Sequence, residues 1–129
     1  MTKPKLTRNQ QLVLDRLAAS SAALSAYELL DQLRDAGLRA PVQVYRALEA
    51  LGQKGLTHRI ESLNAYVACC AHDHQAAAGF AICDDCGEVT EFAFPASEQG
   101  LKSVAGEAGF ETRHMTVELH GRCAACAGH

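Results

Sequence analysis

Apolar positions in the first half of the chain recur at helical spacing. Val13, Leu14 and Leu17 form one stripe, Leu29, Leu30 and Leu33 a second, and Val44, Leu48 and Leu51 a third. Each run carries a start signal. Thr7 with Gln10 and Ser25 with Glu28 fit the reciprocal capping box, and Pro41 suits the first turn of a helix because its missing N–H would have no partner there. Gly37 fits a stop after the second stripe, and Gly52 with Gly55 close the third. The period then changes to two. Residues 57–61 and 65–69 read as strands around a turn at Ser62-Leu63-Asn64. Three helices and a β-hairpin are the layout of a winged helix, whose third helix would enter the major groove of DNA.

The second half is patterned differently. Strands are predicted at 79–83 and 88–92, either side of a CDDCG turn, and a helix at 97–108 despite Gly100 and Gly106, ending at Gly109. From 110 to 120 the residues alternate. Met115, Val117 and Leu119 share one face; His114, Thr116, Glu118 and His120 share the other. No internal repeat or low-complexity linker is evident. The expected fold class is therefore α+β, with domains at 1–70 and 71–129. At about 65 residues each, a hydrophobic core alone is marginal, and a staple is expected.

Charge sharpens this division. Residues 1–68 carry nine Lys/Arg against six Asp/Glu, and residues 69–129 carry three against nine. The basic half suits a polyanion, with Lys3, Lys5, Arg8, Arg39, Lys54 and Arg59 as candidates for phosphate neutralisation; the acidic half suits a cation. All six cysteines lie in that acidic half. No apolar run approaches the length of a membrane span and the first residues are polar, so a cytoplasmic protein without a membrane partner is expected. Cysteines in that compartment are metal ligands or redox groups more often than disulfides.

Cys83-Asp-Asp-Cys86 and Cys123-Ala-Ala-Cys126 offer four thiolates in two tight turns, the arrangement a structural tetrahedral zinc needs. The gap of 36 residues between the pairs would tie the last segment back onto the first strands. Gly87 and Gly121 are expected to give the backbone room around these knuckles. Cys70 reads as a small buried hydrophobe.

The hairpin suggests a second site. A loop at Leu63-Asn64 opposes Ser62 to Ala65 and, by the same register, His58 to Cys69, close enough to share a metal. His72, His74 and Glu91 are candidates to complete it. Either histidine, with Glu91, would give a four-coordinate zinc site drawn from both halves. A third metal site at His114, Glu118 and His120 is conceivable from the alternation, beside the plain reading of an exposed polar strand face. Enzyme classes fit poorly. A zinc deaminase needs H-x-E with P-C-x-x-C, which is lacking, and a dithiol oxidoreductase places its reactive cysteine at a helix start rather than in a glycine-flanked knuckle. A zinc-storage protein leaves the three helices and the wing unexplained. No small organic ligand is expected.

The stretches LTRNQQLVLDRL, SAYELLDQLR, VYRALEALGQKGLTHRIES, NAYVAC, FAICDDCGEV and HGRCAAC together resemble the ferric uptake regulator family, in its zinc-responsive branch, from about Leu6 to Cys126. The resemblance implies a homodimeric repressor of zinc-uptake genes. It would have an N-terminal winged-helix DNA-binding domain, an α/β dimerisation domain and about two zinc ions per subunit, and would bind palindromic double-stranded operators. It matches Cys83, Cys86, Cys123 and Cys126 to the structural zinc, and His58, Cys69 and Glu91 to a regulatory zinc-sensing site whose fourth ligand is a loop histidine, assigned to His74 with His72 in reserve. Tyr27 and Arg46 match DNA contacts, with Tyr45 beside them, and Asp31 and Arg34 match a pair joining neighbouring dimers on DNA. Gln43 departs from the family's usual threonine and is expected to alter phosphate contact or operator preference. A family sensor of iron, manganese or peroxide is the alternative, and the Cys69 thiolate argues for zinc over harder ions.

Overall fold

A computed structural model describes residues 5–69, 78–113 and 115–128. The chain divides into two compact units, Met1–Cys70 and Ala71–His129.

In the first unit, α1 (Arg8–Ala18), α2 (Ala26–Leu33) and α3 (Pro41–Gln53) precede a hairpin of β1 (Thr57–Ile60) and β2 (Ala65–Ala68). Both capping boxes form. The Thr7 hydroxyl accepts from the Gln10 N–H while the Gln10 carbonyl oxygen accepts from the Thr7 N–H, and Ser25 and Glu28 repeat the exchange. A 3₁₀ turn, Arg34–Ala36, extends α2 to Gly37, whose φ of 116° is open to glycine at little cost. Arg8, counted above among the phosphate-neutralising cations, donates one N–H to the Ala36 carbonyl at 2.7 Å and ties the start of α1 to the end of that turn. The three apolar stripes meet in one core of Val13, Leu17, Leu29, Leu33, Leu38, Val44, Leu48 and Leu51, each at least nine-tenths buried. Leu24, just before α2, pairs with Tyr66 through two backbone hydrogen bonds of 3.0 and 2.8 Å, adding a one-residue bridge to the hairpin.

The second unit is a three-stranded sheet in the order β4-β3-β5, with β3 (Ala78–Cys83) central, β4 (Val89–Phe92) antiparallel to it and β5 (Thr116–Gly121) parallel. The connection from β4 to β5 carries α4 (Pro95–Glu107). This helix starts two residues before the predicted Ser97, because Pro95 occupies its first turn, where a missing N–H costs nothing. Gly109, at φ 78°, ends it. The strand predicted from residue 110 begins only at Thr116. Parallel pairing sets that start, since Thr116 is matched to Ala78 at the beginning of β3. Gly79 faces Phe92 across the sheet, and a Cβ on it would stand 2.5 Å from the ring, so a glycine lets the ring lie over the backbone. No described helix is long and apolar enough to cross a membrane.

Candidate metal centre and nucleic-acid interface

β3 delivers Cys83 to the sheet end, where its N–H donates to the Glu88 carbonyl at 2.9 Å and its carbonyl accepts from Gly87 at 3.0 Å. Gly87 takes φ 81°, a left-handed position that the turn requires. Gly121 differs from expectation. It is an ordinary strand residue with no left-handed φ, pairing with Cys83 at the end of β5. Its role is register: the Asp84 N–H donates to the Gly121 carbonyl at 2.8 Å, which brings the second knuckle beside the first. Arg122 Nε to Asp85 at 2.8 Å, and His120 Nδ1 near Asp84 at 3.6 Å, join the same two segments.

The four sulfurs of Cys83, Cys86, Cys123 and Cys126 lie within 4.8 Å of one another, and Cys86 and Cys123 are 3.7 Å apart. Sulfurs held ~2.3 Å from one ion in a tetrahedron stand ~3.8 Å apart, so the cluster has the size of a four-thiolate zinc site. None of the four is in a disulfide. The Cys83 thiol is lowered from 9.0 to about 6, chiefly by the Cys123 backbone N–H and then by that of Cys86, which sits 3.4 Å from its sulfur. At Cys86 the Glu88 backbone N–H lowers the value, but the neighbouring sulfurs of Cys83 and Cys123 and burial together raise it. Cys126 is raised by Cys123 and then Cys83. A metal ion binds thiolates and must displace these protons, so metal affinity at such a cluster falls as pH falls.

The hairpin corrects one expectation. Ile60 opposes Ala65 and His58 opposes Val67, so His58 does not face Cys69. A four-residue loop at 61–64 replaces the two-residue turn. The Leu63 N–H donates to Ile60 and that of Asn64 to Glu61, with Asn64 at φ 48°, a left-handed value that asparagine tolerates. A tight turn at Leu63-Asn64 would have asked a branched leucine for positive φ. Cys69 instead lies across from Leu56, to whose carbonyl its N–H donates at 2.8 Å. The slip moves the partner by two residues, and an even slip keeps the face. His58 and Cys69 are therefore diagonal neighbours on one face, with a ring nitrogen and the sulfur within 4.8 Å.

Glu91 sits on β4 opposite Phe80. His72 and His74 lie outside the described residues, as does His114 of the suggested third site, whose Glu118 and His120 sit two apart on β5.

On the first unit, Tyr27 in the first turn of α2 is two-thirds exposed, and Tyr45 and Arg46 are exposed on α3. Arg39, Asp31 and Arg34 are exposed as well. Three expected DNA contacts are engaged within the fold. The Gln43 carbonyl oxygen accepts from the Arg39 and Ala40 N–H groups at 2.9 and 3.1 Å, supplying the cap that Ala40 has no side chain to give. Arg59 is held by Glu61 at 2.9 Å and Asn64 at 2.8 Å, while Lys54 reaches Gln10 at 3.4 Å.

Fold and site define a winged-helix protein with a cluster of four cysteines arranged as in a structural zinc site. The chain belongs to the ferric uptake regulator family, whose sequence profile matches residues 2–120. It is 41% identical over 124 residues to the zinc uptake regulation protein of Escherichia coli K12, covering 95% of this chain and 72% of that protein. Among solved structures, a zinc uptake regulator complexed with zinc and DNA superposes with a TM-score of 0.87 at 40% identity, covering 95% of this chain and 83% of the other. Holo XcZur gives 0.87 at 38% identity, covering 99% and 90%.

Proposed function

We propose that this chain is a zinc-responsive transcriptional repressor, acting in the cytoplasm as a homodimer that binds palindromic operators of zinc-uptake genes. The observation that carries the reading is the His58–Cys69 pair. It is a nitrogen and a thiolate ligand built into the wing of the DNA-reading unit and separate from the four-cysteine centre. Similarity to zinc uptake regulators, one of them solved with zinc and DNA, points the same way.

The four cysteines hold a structural zinc, which supplies cross-linking to a unit with little core. His58 and Cys69, with Glu91 and His74 (His72 in reserve), hold the regulatory one, making about two per subunit. Because these ligands come from both units, occupancy is coupled to how the reading helices of a dimer are presented to successive major grooves. Tyr27, Tyr45 and Arg46 contact bases or backbone; Arg39, Lys54 and Arg59 lie against phosphates; Asp31 and Arg34 join neighbouring dimers. Gln43 offers DNA only its amide NH₂, its oxygen being used in the cap. The reading needs no third site. A sensor of iron, manganese or peroxide is the second reading, and the soft Cys69 ligand weighs against it.

The test is Cys69→Ala. It should keep one tightly held zinc per subunit after mild chelation, lose the exchangeable one, and lose zinc-dependent operator binding in a gel shift. Unchanged zinc dependence would remove Cys69 from the sensing site.

A further inference from the structure

Helix α3 buries Val44, Ala47, Leu48 and Leu51 and leaves Val42, Tyr45, Arg46 and Glu49 exposed, at i, i+3, i+4 and i+7. These four form one stripe down the solvent side of the helix. Its apolar members are half exposed, Val42 at 50% and Tyr45 at 43%. Glu49 is the anomaly. It is a carboxylate in the middle of the surface that the proposed function lays against a polyanion. It makes no hydrogen bond or ion pair with another described residue. Arg59 lines the same groove between α3 and the wing, yet its guanidinium is taken by Glu61 and Asn64. Among the described residues Glu49 therefore has no partner, and phosphates can only repel it.

What the floor of a major groove does offer a carboxylate is an amine donor. Cytosine presents N4–H₂; guanine and thymine present carbonyl acceptors that repel it, and adenine's amine stands beside the N7 acceptor. One turn before Glu49, Arg46 carries the complementary chemistry, donors suited to guanine O6 and N7. Resting on the function proposed above, the geometry points to Glu49 as a specificity-determining residue that accepts a hydrogen bond from a cytosine N4 amine in each half-site. Its repulsion by phosphate lowers affinity for every sequence alike, and the N4 hydrogen bond offsets that cost only where a cytosine stands opposite it.

The experiment selects sequences from a pool of random duplexes with the zinc-loaded full chain, then measures affinity for single base-pair variants of the selected half-site. The wild type should show a C·G position at which substitution weakens binding roughly 5- to 100-fold. Glu49→Ala should flatten that position to within about twofold and leave the others unchanged. Glu49→Gln should move the preference there towards adenine, which glutamine pairs at N6 and N7. Because the side chain is exposed, both variants should melt with the wild type. A uniform gain in affinity with an unaltered base profile in Glu49→Ala would overturn the assignment, leaving only charge repulsion. A wild type that selects no sequence would instead overturn the regulator reading itself.

Discussion

The two units of this chain keep their folds by opposite means. The first packs three capped helices and a hairpin around a core of leucines and valines, each such side chain contributing about 1.5–3 kcal/mol when fully buried. In the second, Phe80, Ile82 and Cys83 are the buried hydrophobic residues among those described, and α4 leaves Leu101 and Val104 at least half exposed. A sheet with so little interior offsets only a small part of the chain entropy of ordering about 60 residues by burial within one subunit. Four converging thiols at its end supply what the core lacks. The lesson is a division of labour: one unit is a scaffold built around its core, and the other is a small sheet with four thiols positioned to bind an ion.

The largest effect should come from removing that ion. Cys126→Ser, or stripping the zinc from the four-cysteine site, should forfeit on the order of 10–16 kcal/mol at neutral pH. Hydrogen exchange should then show β3, β4 and β5 unprotected while α1–α3 stay protected. Persisting protection in the sheet would erase the contrast between the units. Next in size, Leu51→Ala should destabilise the first unit by about 2–5 kcal/mol through the cavity it leaves. Calorimetry should show that transition moving down while bound zinc per subunit is unchanged; a fall in zinc would mean the units are not separable. Ser25→Ala removes half of a capping box and should cost about 1 kcal/mol, read as a lower melting point of the same unit. Smallest is Arg122→Ala. Its bond to Asp85 is between solvated groups and worth about 0–1 kcal/mol, so zinc retention under a chelator should barely change.

Much of this was legible in the sequence where the determinant is local. Both capping boxes, the Pro41 start and the three apolar stripes need only residues within a few turns of one another. The cysteine pairs were legible for a chemical reason, since two C-x₂-C turns have few uses besides one soft cation. What escaped depends on distant strands. Nothing local fixed whether the loop centres on Leu63-Asn64 or one residue earlier, at 61–64, so the sequence matches His58 to Cys69 whereas it faces Val67; parity keeps the two on one face. The Leu24–Tyr66 bridge is a single residue long and leaves no periodic trace. The late start of β5 is set by its pairing with β3. The cap from Gln43 is local, and it is hidden because Ala40 has no side-chain acceptor to signal a capping box.

The hydrogen bond from Asp84 to the Gly121 carbonyl has a consequence for the order of events during synthesis. Cys83 and Cys86 are made early in their unit, and Cys123 and Cys126 only after every strand of the sheet. The first knuckle by itself offers two thiolates and a loose grip. The full grip appears only when β5 has been laid along β3 and Gly121 brought against Asp84. The four sulfurs form one set only in an assembled sheet, so metal retention is expected to report assembly: an unfinished or misthreaded sheet leaves two separate dithiols.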